Sequence, residues 1–159
     1  ALRFHSNMTS LDDRAKRPAL VAAITNPAGA LQGVQVTLLT PHGTAKAPVG
    51  TPRRVIGKLV GGAVRLGDAA THLAVGEGVE TMLSASIALG APAWAALTAY
   101  NLSLFTPPAD VTHLIVAADN DAAGLAAAEA VRERLPIAVT VRTPPDGAED
   151  WNRAAETRD

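Results

Sequence analysis

An α/β fold is predicted for this chain: a parallel sheet flanked by helices, with a preceding small β-containing subdomain. Three observations predict it. Between residues 72 and 142, short uncharged apolar segments alternate with longer Ala- and Leu-rich segments of helical spacing, the rhythm of repeated β-α units. Several of those apolar segments are bounded by polar residues and show no polar alternation, as expected of strands covered on both faces. Charge also divides the chain: residues 1–68 carry nine Lys and Arg against three acids, a balance of +6, whereas residues 69–159 carry five against twelve, a balance of −7. The expected division is a basic, β-containing N-terminal subdomain at 1–68 and the α/β domain at 69–159.

In the first part, Ala19 to Thr25 (ALVAAIT) and Leu31 to Thr40 (LQGVQVTLLT) read as two strands joined by the turn-forming cluster Asn26-Pro27-Ala28-Gly29. The second alternates Val34, Val36 and Leu38 with Gln35 and Thr37, which predicts one wet face. Pro41 to Pro52 is rich in Pro, Gly and Thr and is expected to be an irregular loop. Lys46, Arg53, Arg54 and Lys58 gather in and after it. Such a loop is either solvated surface or a set of phosphate contacts, and these four residues are the candidates for the latter. The run IGKLVGGAVRLG lacks the GKT or GKS of a Walker loop, and a short strand near Ala63 to Leu66 is expected instead.

The second part opens with a short strand, His72 to Gly76, and a helix over Val79 to Leu89. Ala93 to Thr98 is the next strand, followed by a loop at Asn101 to Asp110 containing Pro107-Pro108. Then comes His113 to Gly124 (HLIVAADNDAAG), a buried strand running into Asp119-Asn120-Asp121 and a helix over Ala122 to Leu135. Ile137 to Arg142 forms the last strand, and a short helix begins near Trp151.

Parallel strands end on one edge, so Glu77, flanked by Gly76 and Gly78, is placed on the same rim as Asp119 and Asp121. Residues two apart in an extended turn point the same way, which aims both aspartates at one point. Three hard oxygen donors suit Mg²⁺ or Mn²⁺, which take further ligands from water and phosphate and neutralise charge on a transferring phosphoryl group. The alternative for Glu77 alone is a carboxylate stabilised by a helix N-terminus. A dinucleotide fingerprint fails because Thr81 replaces the third glycine.

Other chemistries find less support. The chain has no cysteine, which excludes disulfides and zinc ribbons within it and agrees with a cytoplasmic location. His5, His42, His72 and His113 lack zinc-ligand spacing, and Ser84 and Ser86 lack a nucleophile elbow. Aromatic residues make up 3% of the chain, so Trp94 and Trp151 are assigned to the core, and stacking is not expected to dominate nucleic-acid affinity. No uncharged run approaches the ~18 apolar residues of a membrane span, the N-terminus lacks signal-peptide character, and no membrane partner is expected. The absence of an initial Met leads to the expectation of a piece of a longer protein. A pI near 6.5 argues against a strongly basic nucleic-acid binder, yet the charge asymmetry fits a polyanion held by one half and cations by the other. The alternative is an accident of surface composition in which the halves attract each other.

These residues carry a resemblance. Glu77-Gly78 followed by Asp119-Asn120-Asp121-Ala122-Ala123-Gly124 resembles the Toprim domain of DnaG-type primases, topoisomerases and some nucleases. The wording VGEGVETMLSA with AADNDAAGLAAAEAV is similar to primase-like proteins of phages, plasmids and conjugative elements. GKLVGGAVRLG and its surroundings resemble the region preceding Toprim in those proteins, so 69–159 is expected to be the Toprim domain. The resemblance implies DNA replication chemistry: a nucleotidyltransferase joining nucleoside triphosphates into short primers on a single-stranded DNA template. It implies Mg²⁺ or Mn²⁺ at Asp119 and Asp121, with Glu77 binding metal or moving a proton at the 3′ hydroxyl. After Pro145-Asp146-Gly147, Asp150 matches a further metal-binding acid of the family, while Asn152 stands where a second Asp is often seen. Asp150 reads equally as an N-cap of the terminal helix. A helicase or relaxase, in the same or another chain, is the further partner implied. The alternatives are a Toprim-type metal-dependent nuclease and a non-catalytic nucleic-acid-binding or interaction module keeping the fold.

Overall fold

A computed structural model of the chain describes residues 1–156. Four antiparallel strands come first: β1 (Leu2–Thr9), β2 (Lys16–Thr25), β3 (Leu31–Leu38) and β4 (Arg53–Gly57), which form a sheet in that order. Then follow β5 (Val64–Arg65), β6 (His72–Gly76), α1 (Val79–Leu89), β7 (Ala93–Ala95), α2 (Ala99–Ser103), β8 (His113–Ala117), α3 (Ala122–Arg134), β9 (Ala138–Arg142) and α4 (Trp151–Glu156). The second sheet has the order β5-β7-β6-β8-β9, parallel throughout except for β5, which runs antiparallel to β7.

The inner strands β6, β7 and β8 of the second sheet are largely buried on both faces, which is why they carry no polar alternation. Leu114 and Val116 of β8 pack with Leu102 of α2 and with Ala127, Ala128 and Val131 of α3. Ala117 and Ile115 turn the other way, toward Val79, Met82 and Ala85 of α1 and Trp151 of α4. Each fully buried Leu or Val contributes roughly 1.5–3 kcal/mol, so small residues suffice when both faces are used. Trp94 and Trp151 lie in these cores, as the composition suggests.

Ala22 and Ile24 of β2 join the core on the α1 side, so the first sheet lies over that face of the second. This overturns the expected wet face of β3: Gln35 and Thr37 are 6% and 2% exposed. Cross-strand register explains it. Gln35 opposes Ala22 and Val55, and Thr37 opposes Leu20 and Arg53, so the polar positions share the face turned toward α1. The opposite face, with Val34, Val36 and Leu38, is covered by Ala47 and Val49 from the loop at 41–52. Both faces of β3 are therefore occupied.

Three elements were not anticipated. Strands β1 and β4 are the edges of the first sheet, and the five-residue α2 lies across the expected loop at 101–110, starting from the Thr98 side chain, which accepts from the Asn101 amide. Asn101, 1% exposed, donates to Gly62 O and Ala96 O at 2.8 Å and accepts from Gly61 N at 2.9 Å, pinning the β4–β5 connection to the second sheet.

Candidate metal and phosphate site

The chain leaves β6 through a close backbone approach. A Cβ on Gly76 would stand 2.5 Å from Ala117 O on β8, so glycine alone lets the ends of the two strands meet. Glu77 and Asp119 follow directly on those two ends. The Asp119 turn is fixed from both sides, with Ala118 N donating to Arg142 O at 2.9 Å and Asn120 N donating to Glu149 O at 2.8 Å. The second of these bonds brings Glu149 and Asp150 to the rim.

The spacing of the DNDAAG turn has a structural reason as well. Asp121 is the N-cap of α3, its Oδ1 accepting from Gly124 N at 2.7 Å. A side chain at 124 would place its Cβ 2.8 Å from Asp119 O, so Gly124 permits the helix to start beneath Asp119. Asp121 thus gives one carboxylate oxygen to the helix start, while its charge still acts on both Glu77 and Asp119. Asp119 Oδ1, by contrast, is buried and has no hydrogen-bond partner among the described residues.

An open depression of about 370 Å³ lies over this rim, lined by Glu77, Glu80, Asp119 and Asp150 and by the bases Lys46 and Arg53. Burial first, then Glu77, Asp150, Asp121 and Glu149, raise the Asp119 carboxyl to about 6. Glu77 is also raised, by burial and then by Asp121, while a hydrogen bond from the Ala99 amide at the start of α2 acts in the opposite sense. The carboxylates therefore act on one another in addition to the effect of burial. Among the described residues none of the four ion pairs includes Glu77, Asp119, Asp121 or Asp150.

Among those residues, however, no three acidic or histidine side chains are grouped closely enough to hold one ion. The rim is shared, and a single preformed coordination sphere is not. The donors still fit a hard divalent cation of the magnesium type, which binds through one or two carboxylates and fills its other positions with water and phosphate. The buried Asp119 oxygen without a donor is the observation on which that fit rests.

The remaining candidates separate. Asp150 accepts from Arg153 N at 2.8 Å, capping α4, and also lines the depression. Asn152 lines it too, but its Oδ1 accepts from Ser84 Oγ at 3.2 Å and its Nδ2 donates to Glu156 at 3.0 Å. Arg53 lies 2.6 Å from Glu80. Its neighbour Arg54 points to the other face of β4 and donates to Thr9 O at 3.0 Å, and neither it nor Lys58 lines the depression. Glu80, Glu149 and Leu97 escaped the sequence reading. Leu97 lines the depression with φ 74°, its N–H bonded to Glu77 O at 2.8 Å, and nothing in its residue type announces that conformation.

Residues 72–158 match the Toprim domain family, and residues 1–66 match a domain of unknown function. No curated protein sequence matches significantly. The structure is similar to the primase fragment of the bacteriophage T7 primase-helicase protein, with TM-score 0.61 and 18% identity over 89% of this chain and 59% of that one. It is also similar to the E. coli primase catalytic core (TM-score 0.58, 16% identity, 97% and 53% covered). A third likeness is to a DnaG primase catalytic domain bound to single-stranded DNA (TM-score 0.59, 18% identity, 97% and 51% covered). The chain thus spans between about half and three-fifths of these three solved chains. At such identities the likeness establishes a shared fold.

Proposed function

The chain belongs to the Toprim domain family, and from that premise we propose that it is the catalytic core of a primase-like nucleotidyltransferase acting on nucleoside triphosphates and a single-stranded DNA template. On this reading residues 1–68 are the template-side subdomain and residues 69–159 the Toprim domain. The observation that carries it is the buried, donorless Asp119 Oδ1 in a carboxylate-rich depression that also contains Lys46 and Arg53.

Mg²⁺ or Mn²⁺ would be held by Asp119 with help from Glu77, Asp121 and Asp150, and would supply charge neutralisation at the phosphates. The protein's own groups do the rest. Lys46 and Arg53 draw phosphate oxygens toward the rim, with Arg53 exchanging Glu80 for the incoming anion. Glu77, its affinity for a proton raised by burial, is suited to accept one from the 3′ hydroxyl. Arg54 and Lys58, away from the depression, are assigned to more distant backbone phosphates of the template. A helicase or relaxase acting with this core is part of the same reading, as is a place in phage or plasmid DNA replication.

The test is metal-dependent primer synthesis on single-stranded DNA with Asp119→Ala and Asp121→Asn variants. Loss of synthesis in both supports the reading. Wild-type rates in both would refute the assigned roles, nicking of DNA without added nucleotides would favour the nuclease alternative, and binding without turnover the interaction module.

A further inference from the structure

At the outer edge of the first sheet Phe4 is 69% exposed, in a chain with only two phenylalanines. It lines an open depression of about 530 Å³ together with Ser6, Asn7, Lys16, Arg17 and Pro18, and no acid lines it. Arg17 is held by Asp13 at 2.6 Å, whereas exposed Lys16 has no acidic partner among the described residues.

Register connects this ledge to the carboxylate rim. Phe4 opposes Leu20, Leu20 opposes Thr37, and Thr37 opposes Arg53, so one cross-strand row on one face of the sheet runs from Phe4 to Arg53. Three strand spacings of ~4.8 Å make it about 14 Å long, roughly four nucleotides at ~3.4 Å per stacked base. Exposure along it is uneven: Arg53 is partly buried, Thr37 2% exposed, Leu20 partly buried and Phe4 69% exposed. The row is thus covered at Thr37 and open at Phe4.

We infer that Phe4 is a base-stacking platform which, with Lys16, holds single-stranded nucleic acid on the outer edge of the first sheet, about 14 Å across the sheet from Arg53. This rests on the proposed function for its orientation toward the rim. A lone aromatic ring among a free ammonium, a hydroxyl and an amide matches a base attached to a phosphate. A protein partner fits less well. Phe4 is flanked along β1 by Arg3, His5, Ser6 and Asn7 instead of by further apolar residues, and the break in register between His5 and Met8 makes this edge irregular for strand addition.

Phe4→Ala, Phe4→Trp and Lys16→Gln are compared with the wild-type chain by fluorescence anisotropy on a labelled oligothymidine and on an abasic strand of equal length. Phe4→Ala should weaken oligothymidine binding roughly five- to a hundredfold, the range of a single stacked base. Phe4→Trp should restore it, the abasic strand should show no dependence on residue 4, and Lys16→Gln should lower the salt slope by about 1. Unchanged affinity in Phe4→Ala would overturn the inference, as would an equal loss on the abasic strand. So would a change in sedimentation behaviour unaccompanied by a change in binding, which would assign the ledge to a second copy of the chain. If Phe4→Ala weakens binding while the wild type makes no primers, the ledge stands and the primase reading falls. If primers are made and Phe4→Ala alters neither affinity nor KM for template, the ledge falls alone.

Discussion

Replacing Asp119 by Asn should stabilise the metal-free protein above about pH 6. Burial, then Glu77, Asp150, Asp121 and Glu149, raise this carboxyl from 3.8 to about 6. Below pH 3.8 the group is protonated whether the chain is folded or not, and no penalty arises. Between about pH 4 and pH 6 the unfolded chain gives up its proton first, so folding stability falls as pH rises, and above about pH 6 the penalty is complete. A shift of about two units at ~1.4 kcal/mol each sets a ceiling near 3 kcal/mol. Asp119 is only partly buried, and solvent screening lowers the expected effect to about 1 kcal/mol. For a chain of this size that is a rise in Tm of about 2–4 °C. Thermal unfolding followed by circular dichroism from pH 4 to pH 8, in chelator and in excess Mn²⁺, measures it as the difference between variant and wild type. The gap should open as pH rises and narrow with Mn²⁺, which relieves the charge only where Asp119 carries it. An Asp119→Asn protein no more stable than wild type at pH 7 in chelator would refute the reasoning.

Other substitutions probe the remaining contacts. Asp121→Ala should cost about 1 kcal/mol in urea unfolding through loss of the α3 cap, whereas Asp121→Asn keeps the cap and should cost little; equal losses would show that charge, and not capping, stabilises the turn. Asn101→Ala leaves two buried carbonyls, Gly62 O and Ala96 O, without their donor and frees the Gly61 N–H, and should destabilise by about 2–4 kcal/mol, read as a lower urea midpoint. Arg53→Ala breaks a partly exposed ion pair and should change stability by less than about 1 kcal/mol while raising the KM for nucleoside triphosphate by about tenfold or more. A large stability loss with unchanged KM would make Arg53 structural.

Legibility in the sequence followed coverage. His72–Gly76 and Val79–Leu89 were readable to the residue because strands buried on both faces and a helix on a core have strong patterns. Strand β1 gave no signal: LRFHSNMT is mostly exposed on both sides, so nothing selected for alternation. In β4 the pair Arg53 and Arg54 read as more of a basic loop, although alternation sends one toward the rim and the other away. Gln35 and Thr37 misled because a polar residue reports its own chemistry and not what lies over it. At the rim, Glu77, Asp119 and their glycines were legible from spacing. The capping role of Asp121 was legible only in hindsight, since the signature Asp-x-x-Gly serves both a ligand turn and a helix start. Glu149 arrives through a main-chain bond from Asn120, which no side-chain pattern encodes.

The placement of β5 bears on any attempt to dissect the protein. Val64 and Arg65 come from the basic stretch yet zip along β7, and Arg65 lies 4.3 Å over the Trp94 ring while Gly67 accepts its indole N–H at 2.8 Å. A polypeptide cut at residue 69 would therefore leave Ala93–Ala95 with a naked row of amides and carbonyls and an uncapped indole, an invitation to aggregate. Truncations, fusions and split reporters built on this scaffold should begin upstream of Ala63, so that the border strand travels with the sheet it closes.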